Sequence, residues 1–435
     1  MNIQFYEWAK LSEAEQAQIL ARSEQDIASV QNAVRDIVSG VRNDGDKALR
    51  EYTQRFDKVD LAQLPIAVRK EEFDAAEGKI DTSVREAVEY AIDNVWNVHK
   101  GQLDAGLRTQ EVRPGVYAGE RATAVPSVGL YVPHGRGSFP SMLYMLAVPA
   151  RVAGVEHVSV VTPPNADGSV DPACLYAARY CGVHTVYRVG GAHAIAALAY
   201  GTESVTAVSK LVGPGSSYVA AAKREGAGAV DTGLPAGPTE SIILADRYAD
   251  PWKVSLDLMV EAEHGSDSQA LLIPPSRPLA EAVMEVLPEL TAQAPEPRRK
   301  FLEDVFAGYG GVILSSSMEE GAEIVNAFAP EHLQIHTREP YDTLGLIRHA
   351  GEILLGEHSV FSLANYATGA NAVLPTGGNA RTWSPVSVRD FMKYSSVVHV
   401  TSAGYHNLRD HVIALADYEG FHAHAQALRR RDESL

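Results

Sequence analysis

Apolar residues recur at two different periods along the chain, and the change of period divides it. Ile27, Val30, Val34, Ile37, Val38 and Val41 follow the 3–4 spacing of one helical face, which predicts a helix ending before Asn43-Asp44-Gly45. Ser12-Glu13-Ala14-Glu15 has the spacing of a capping box and opens a shorter helix to about residue 22. Further helix is predicted over 46–56 and from 70 to about 98. From residue 128 the texture becomes strand–helix alternation. Short apolar runs at 128–132, 158–161, 183–189 and 207–212 are strands, separated by helical stretches at 142–155, 172–180, 192–200 and 218–224. A second series of strands is predicted at 241–245, 270–274, 311–314, 332–335 and 352–355. Alternation at this pitch predicts parallel sheets covered by helices, with ligands at the carboxyl ends of the strands.

The expected fold class is therefore α/β: two doubly wound, Rossmann-like lobes with an N-terminal helical segment and a C-terminal helical tail. The divisions fall at 1–25 for the helical segment, 26–125 with 240–380 for the first lobe, 126–239 for the second and 381–435 for the tail. A chain of 435 residues is long enough to require more than one core. With 46% apolar and 21% charged residues it has an ordinary globular composition. A formal charge of −17 argues against nucleic acid as a partner, because phosphate binding needs a basic surface. Cys174 and Cys181, the only cysteines, have no metal or redox spacing and read as small buried residues in a reducing compartment. The N-terminus lacks a basic start followed by an apolar run, and no window approaches a membrane span. Together these point to the cytoplasm.

Four separated segments carry candidate chemistry. In VEAEHGSDSQ, at the end of the helix predicted over 251–263, Glu261 and His264 are three apart and share a face. A carboxylate and an imidazole presented together suit a divalent metal such as zinc. In APEHL, Glu331 and His332 place an acid and an imidazole side by side where a strand begins. The run 362–376, SLANYATGANAVLPT, reads as a loop, and EGFHAHA offers Glu419, His422 and His424 at the start of the last helix. Gly135-Arg136-Gly137 and Gly213-Pro214-Gly215-Ser216 each follow a strand. Either turn suits a phosphate at a helix N-terminus, or simply a tight strand–helix connection. Neither is a full dinucleotide fingerprint.

Taken in order, PAGPTE (235–240), EAEHGSDSQ, APEHL, NYATGANAVLPT and EGFHAHAQAL, with GLYVP near Gly129 and VGGAHAIAALAYGT near Val189, resemble the histidinol dehydrogenase family over roughly 129–428. The resemblance implies an enzyme that uses Zn2+ and NAD to oxidise a primary alcohol to a carboxylate in two hydride transfers. It implies a homodimer in which the C-terminal tail of one subunit completes its partner's active site. Zinc would sit on Glu261, His264, Asn365 and His424. His332 would be the general base, and Glu331 would activate the water that attacks the bound aldehyde. Thr239 and Glu419 would contact substrate, while Tyr131, His193 and Ser216 fall where the family contacts NAD.

The sequence also departs from that pattern. The family normally has glutamine at the position of Glu261 and aspartate at that of Asn365. The two changes cancel in charge, so a retained metal site is expected. Ala372 replaces a histidine near the substrate, Arg136 replaces a serine and Ser216 an asparagine. Losing an imidazole and gaining a guanidinium implies a substrate with an anionic end, since arginine presents a planar fork of donors to carboxylate, phosphate or sulfonate. A contact from Arg136 to the NAD phosphates satisfies the same chemistry. Within the family the sulfopropanediol dehydrogenases, which take 2,3-dihydroxypropane-1-sulfonate to sulfolactate, fit best. L-histidinol dehydrogenase is the alternative, and an inactive paralogue with a binding or assembly role is the alternative from another class.

Overall fold

The apolar runs that alternate with helices form two parallel sheets, as their period predicts. The computed structural model describes residues 1–21, 27–103, 106–134 and 137–431. In chain order the first elements are β1 (Phe5–Glu7), α1 (Glu13–Leu20), α2 (Ile27–Phe56), α3 (Lys70–Ala76), α4 (Thr82–His99), β2 (Leu107–Arg113) and β3 (Val116–Ala124). Next come β4 (Ser127–Tyr131), α5 (Pro140–Ala153), β5 (His157–Val161), α6 (Pro172–Tyr180), β6 (Thr185–Tyr187), α7 (Gly191–Tyr200), β7 (Lys210–Val212) and α8 (Ser217–Gly226). These are followed by β8 (Glu240–Ala245), α9 (Pro251–Ala262), β9 (Gln269–Ile273), α10 (Arg277–Gln293), α11 (Arg298–Ala307), β10 (Gly311–Leu314) and α12 (Met318–Phe328). The chain ends with β11 (His332–His336), α13 (Pro340–Leu344), β12 (Glu352–Leu355), α14 (Phe361–Tyr366), β13 (Met392–Val400), α15 (Ser402–Tyr418) and α16 (His422–Arg429).

Two compact units result. The first, Met1–Gln102 with Val125–Phe391, contains both parallel sheets. Its larger sheet has the order β1-β10-β9-β8-β11-β12, and its smaller one the order β6-β5-β4-β7. In the smaller sheet the chain winds from β4 to β5 to β6 and then returns to β7 on the other side of β4. The order therefore reverses between β4 and β7, where a doubly wound sheet opens a ligand crevice. The apolar stripe of α2 (Val34, Ile37, Val38, Val41) packs on α7 and α8 in this sheet's core. Helices α3 and α4 likewise pack on α5 and α6. The helices of 27–99, grouped from sequence with the 240–380 lobe, thus share their apolar contacts with the four-stranded sheet.

The expected helix break before Gly45 occurs at Gly45 itself, whose φ of 53° lies in the left-handed region. The Ser12–Glu15 capping box is formed. Residues 70–99 form two helices instead of one, and the run expected as a loop over 362–376 contains the short helix α14.

The second unit, Leu103–Ala124 with Met392–Leu435, is an antiparallel sheet of order β13-β3-β2 carried with α15 and α16. Its strands are absent from the sequence reading, which expected only helices after residue 381. The reason is visible in the burial: β2 is exposed along its whole length and β13 along most of it. Neither strand needs the apolar alternation by which a strand is recognised. No helix among the described residues is long and apolar enough to cross a membrane.

Candidate active site

In the larger sheet, β8, β9, β11 and β12 start level with one another. His332 pairs with Ser241 on one side and Glu352 on the other, and Glu240 pairs with Gln269. Their amino ends, not their carboxyl ends, gather the acidic and imidazole groups, contrary to the expectation for an open α/β sheet. The cause is α9. It runs back across the sheet between β8 and β9, so its C-terminal turn brings Glu261 and His264 over the strand starts.

Glu261 is fully buried. Its Oε1 accepts a hydrogen bond from Asn365 Nδ2 at 2.7 Å. Its Oε2 lies 3.6 Å from His264 Nδ1 and 3.9 Å from His332 Nε2. The same oxygen has no hydrogen-bond partner. His264 lies just past the end of α9 and remains on the same side as Glu261, with Thr239 Oγ1 at 3.2 Å from its Nδ1. Burial disfavours the charge on Glu261, but His332, His264 and the Asn365 amide outweigh it and hold the carboxyl below its usual range.

Glu331 and His332, neighbours at the start of β11, both face this group. His332 Nε2 lies 3.9 Å from Glu331 Oε1, and its Nδ1 lies 3.0 Å from Glu352 Oε2. Glu331 Oε2 accepts the backbone N–H of Glu240 at 3.0 Å. Burial pushes the Glu331 carboxyl up, only partly opposed by His332 and the Glu240 N–H. Burial also opposes protonation of His332, yet the carboxylates of Glu261, Glu331 and Glu352 win and raise its pKa. Asn365 is presented by α14, whose exit is pinned by Asn94 Nδ2 donating to Ala367 O and by Tyr144 Oη donating to Tyr366 O, each at 2.8 Å.

A buried anionic oxygen left without a partner, beside an imidazole and an amide, is the donor set a divalent cation satisfies. Glu261, His264 and Asn365 therefore fit a metal. Among the described residues, no three His, Cys, Asp or Glu side chains form a metal cluster. The third donor here is an amide. Of the other residues expected at the site, Glu419 caps α15 and His424 lies on α16, both exposed in the second unit. Arg136 lies outside the described residues.

The residues expected near a nucleotide collect at the carboxyl ends of β4 and β7, beside the crevice. Tyr131 ends β4, and its hydroxyl accepts the N–H of Gly191 at the start of α7 at 3.1 Å. Burial pushes this phenol up to about 12. Gly213 has φ +128°, and a Cβ there would sit 2.2 Å from the Tyr131 carbonyl oxygen, so only glycine permits this turn. Ser216 is the N-cap residue of α8 but makes no capping bond through its side chain. His193, in the first turn of α7, is 1% exposed, and burial pushes its pKa down to about 3. Its Nε2 is 3.3 Å from Thr53 Oγ1 and 4.0 Å from Asp57 Oδ2, while its Nδ1 is buried without a partner.

A cavity of about 410 Å3 runs from Gly213, Gly215 and Lys223 to Glu240, Thr376 and Gly377. It links the β7 turn to the residue whose N–H holds Glu331. The sequence reading had no role for Glu240 or Glu352. A charged residue opening an otherwise apolar strand, as in GEILLG, was the available signal for Glu352.

The family model described as histidinol dehydrogenase matches residues 20–432. A protein of Rhizobium meliloti named histidinol dehydrogenase homolog is 49% identical, over 98% of this chain and 94% of its own length. A Synechocystis protein named histidinol dehydrogenase is 48% identical over 96% of each chain. The crystal structure of histidinol dehydrogenase from Elizabethkingia anophelis superposes with a TM-score of 0.94 at 32% identity, covering 99% of this chain and 98% of that one.

Proposed function

Because the chain belongs to the histidinol dehydrogenase family, whose members use Zn2+ and NAD to take an alcohol through an aldehyde to an acid, we propose that it performs this four-electron oxidation on a small anionic diol such as 2,3-dihydroxypropane-1-sulfonate. The observation that carries the chemistry is the unpartnered, buried oxygen of Glu261 beside His264 and His332. Glu261, His264 and Asn365 would hold the zinc ion, with His424 as a further ligand from an exchanged C-terminal tail in a homodimer. When bound, zinc polarises the substrate hydroxyl and NAD+ accepts the hydride of each half-reaction.

The chain's own groups then divide the proton work. His332 takes the hydroxyl proton at Nε2. Glu331, made more basic by burial and held by the Glu240 N–H, removes a proton from the water that attacks the aldehyde carbon. Thr239 and Glu419 contact the substrate. Tyr131, His193 and Ser216 flank NAD at the crevice beside β4. The Phe361 ring, steeply inclined to the His332 ring with the two centroids 5.8 Å apart, keeps bulk water from the base. Two buried, unpaired cysteines are in keeping with a reducing cytoplasm.

The substrate assignment is supported by residues 136 and 372, where a guanidinium is gained and an imidazole lost. The second reading, L-histidinol as substrate, is favoured by the 48% identity to a protein bearing that name. Mixing zinc-loaded enzyme and NAD with each alcohol and following NADH separates them. Turnover of the sulfonate diol is expected. Robust turnover of histidinol with none of the diol overturns the assignment, and His332→Ala is expected to slow the reaction by orders of magnitude in a folded protein.

A further inference from the structure

Glu352 has no role in the reaction as described so far, yet it makes the shortest of the polar contacts to the His332 ring. The two residues are in register on the parallel strands β11 and β12, so their side chains leave the same face of the sheet. Both side chains are buried, at 4% and 6% exposure, and Glu352 Oε2 lies 3.0 Å from His332 Nδ1. The other carboxylate oxygen, Oε1, is buried without a partner. No Lys or Arg among the described residues pairs with this carboxylate. Burying it is costly, and among the described residues the imidazole is the one side chain that compensates. With the carboxylate as acceptor, this contact takes its proton from Nδ1, and Nε2 faces Glu261 and Glu331 at 3.9 Å.

We propose that Glu352 is a positioning residue for the oxidation, fixing the His332 ring with its proton on Nδ1 so that Nε2 is the atom that receives the substrate's hydroxyl proton. This rests on the function proposed above. In the first oxidation the hydroxyl proton passes to Nε2, and the hydrogen on carbon leaves with its electron pair to NAD+. The C–O bond becomes the aldehyde carbonyl. The Nδ1 proton stays between His332 and Glu352. A carboxylate that orients a base in this way stabilises the imidazolium as it forms, and exchanging it for an amide allows the wrong tautomer.

The test compares wild type with Glu352→Gln, Glu352→Ala, His332→Ala and the double variant His332→Ala/Glu352→Gln, each loaded with zinc. Both single changes at 352 should leave zinc content and Tm near wild type and KM within about 2-fold. kcat should fall by roughly 10²–10⁴-fold, the span of general-base catalysis, whose upper end matches amide replacement in such a dyad. The double variant should be no slower than His332→Ala alone, because Glu352 acts only through His332. A Glu352→Gln enzyme with wild-type kcat, or losses that multiply in the double variant, overturns the proposal. Solid-state ¹⁵N NMR of histidine-labelled protein tests it without turnover, with His332 identified by the signal missing from His332→Ala. A protonated Nδ1 beside a bare Nε2 in zinc-loaded wild type, giving way to mixed tautomers in Glu352→Gln, is expected. A bare Nδ1 in wild type overturns it. Wild type that oxidises neither alcohol would defeat the proposed function and leave this readout standing.

Discussion

Asn365→Asp should be tolerated only where a cation, a proton or a second change relieves it. In the structure the Asn365 amide donates to Glu261 Oε1 at 2.7 Å, and Glu261 is fully buried. An aspartate there would face carboxylate with carboxylate. Losing a hydrogen bond to a charged group costs about 1.5–3 kcal/mol. Two like charges about 4 Å apart add about 4 kcal/mol at an effective dielectric of about 20, suitable for a site where Asn365 itself is half-exposed. The folded pair escapes part of this by retaining one proton, so its pKa rises above the unfolded value. The penalty is therefore absent below about pH 4, grows by about 1.4 kcal/mol per pH unit, and levels off once the Coulomb limit is reached. Adding Glu261→Gln restores a donor facing an acceptor with the roles exchanged, and the double variant should return to near wild-type stability. Urea unfolding of chelator-treated protein, followed by tryptophan fluorescence at pH 5 and pH 8, measures all four proteins. A single Asn365→Asp variant as stable as wild type at pH 8, or a double variant in which the two effects simply add, would refute the argument.

Other predictions follow from the same geometry. Gly213→Ala should cost roughly 1–3 kcal/mol in backbone strain before its clash with the Tyr131 carbonyl is counted, and should weaken NAD binding measured by calorimetry. His193 cannot take up a proton in the fold until about pH 3, whereas the unfolded chain does so near pH 6.5. Through His193, wild type therefore loses stability as pH falls below 6.5. His193→Gln should remove about 2 kcal/mol of that loss at pH 5, read as a smaller shift in the urea midpoint between pH 8 and pH 5. Removing divalent metal with a chelator should abolish NADH formation, zinc should restore it, and the Tm of Glu261→Gln should respond less to zinc than that of wild type.

Much of the fold was legible because most strands of the two parallel sheets are buried on both faces. β4, β5, β8 and β9 read as near-continuous apolar runs at their observed places, while β11 (HLQIH) and β12 (EILL) show as short apolar stretches behind a polar start. The antiparallel sheet was not, since β2 and β13 are exposed and carry no alternation to detect. Glu261 and His264 could be paired from their spacing alone. Their meeting with Glu331, His332 and Glu352 required the register of three strands, which local sequence does not encode. The position of the site at the amino ends of the strands follows from the return path of α9, a tertiary feature that no strand–helix pattern distinguishes.

The central claim is that a divalent ion belongs on Glu261, beside His332. Anomalous diffraction at the zinc edge from zinc-soaked crystals tests it directly. The account predicts a single strong peak within bonding distance of Glu261, His264 and Asn365. A zinc-loaded crystal with no peak there, or with its strongest peak away from Glu261, would contradict it.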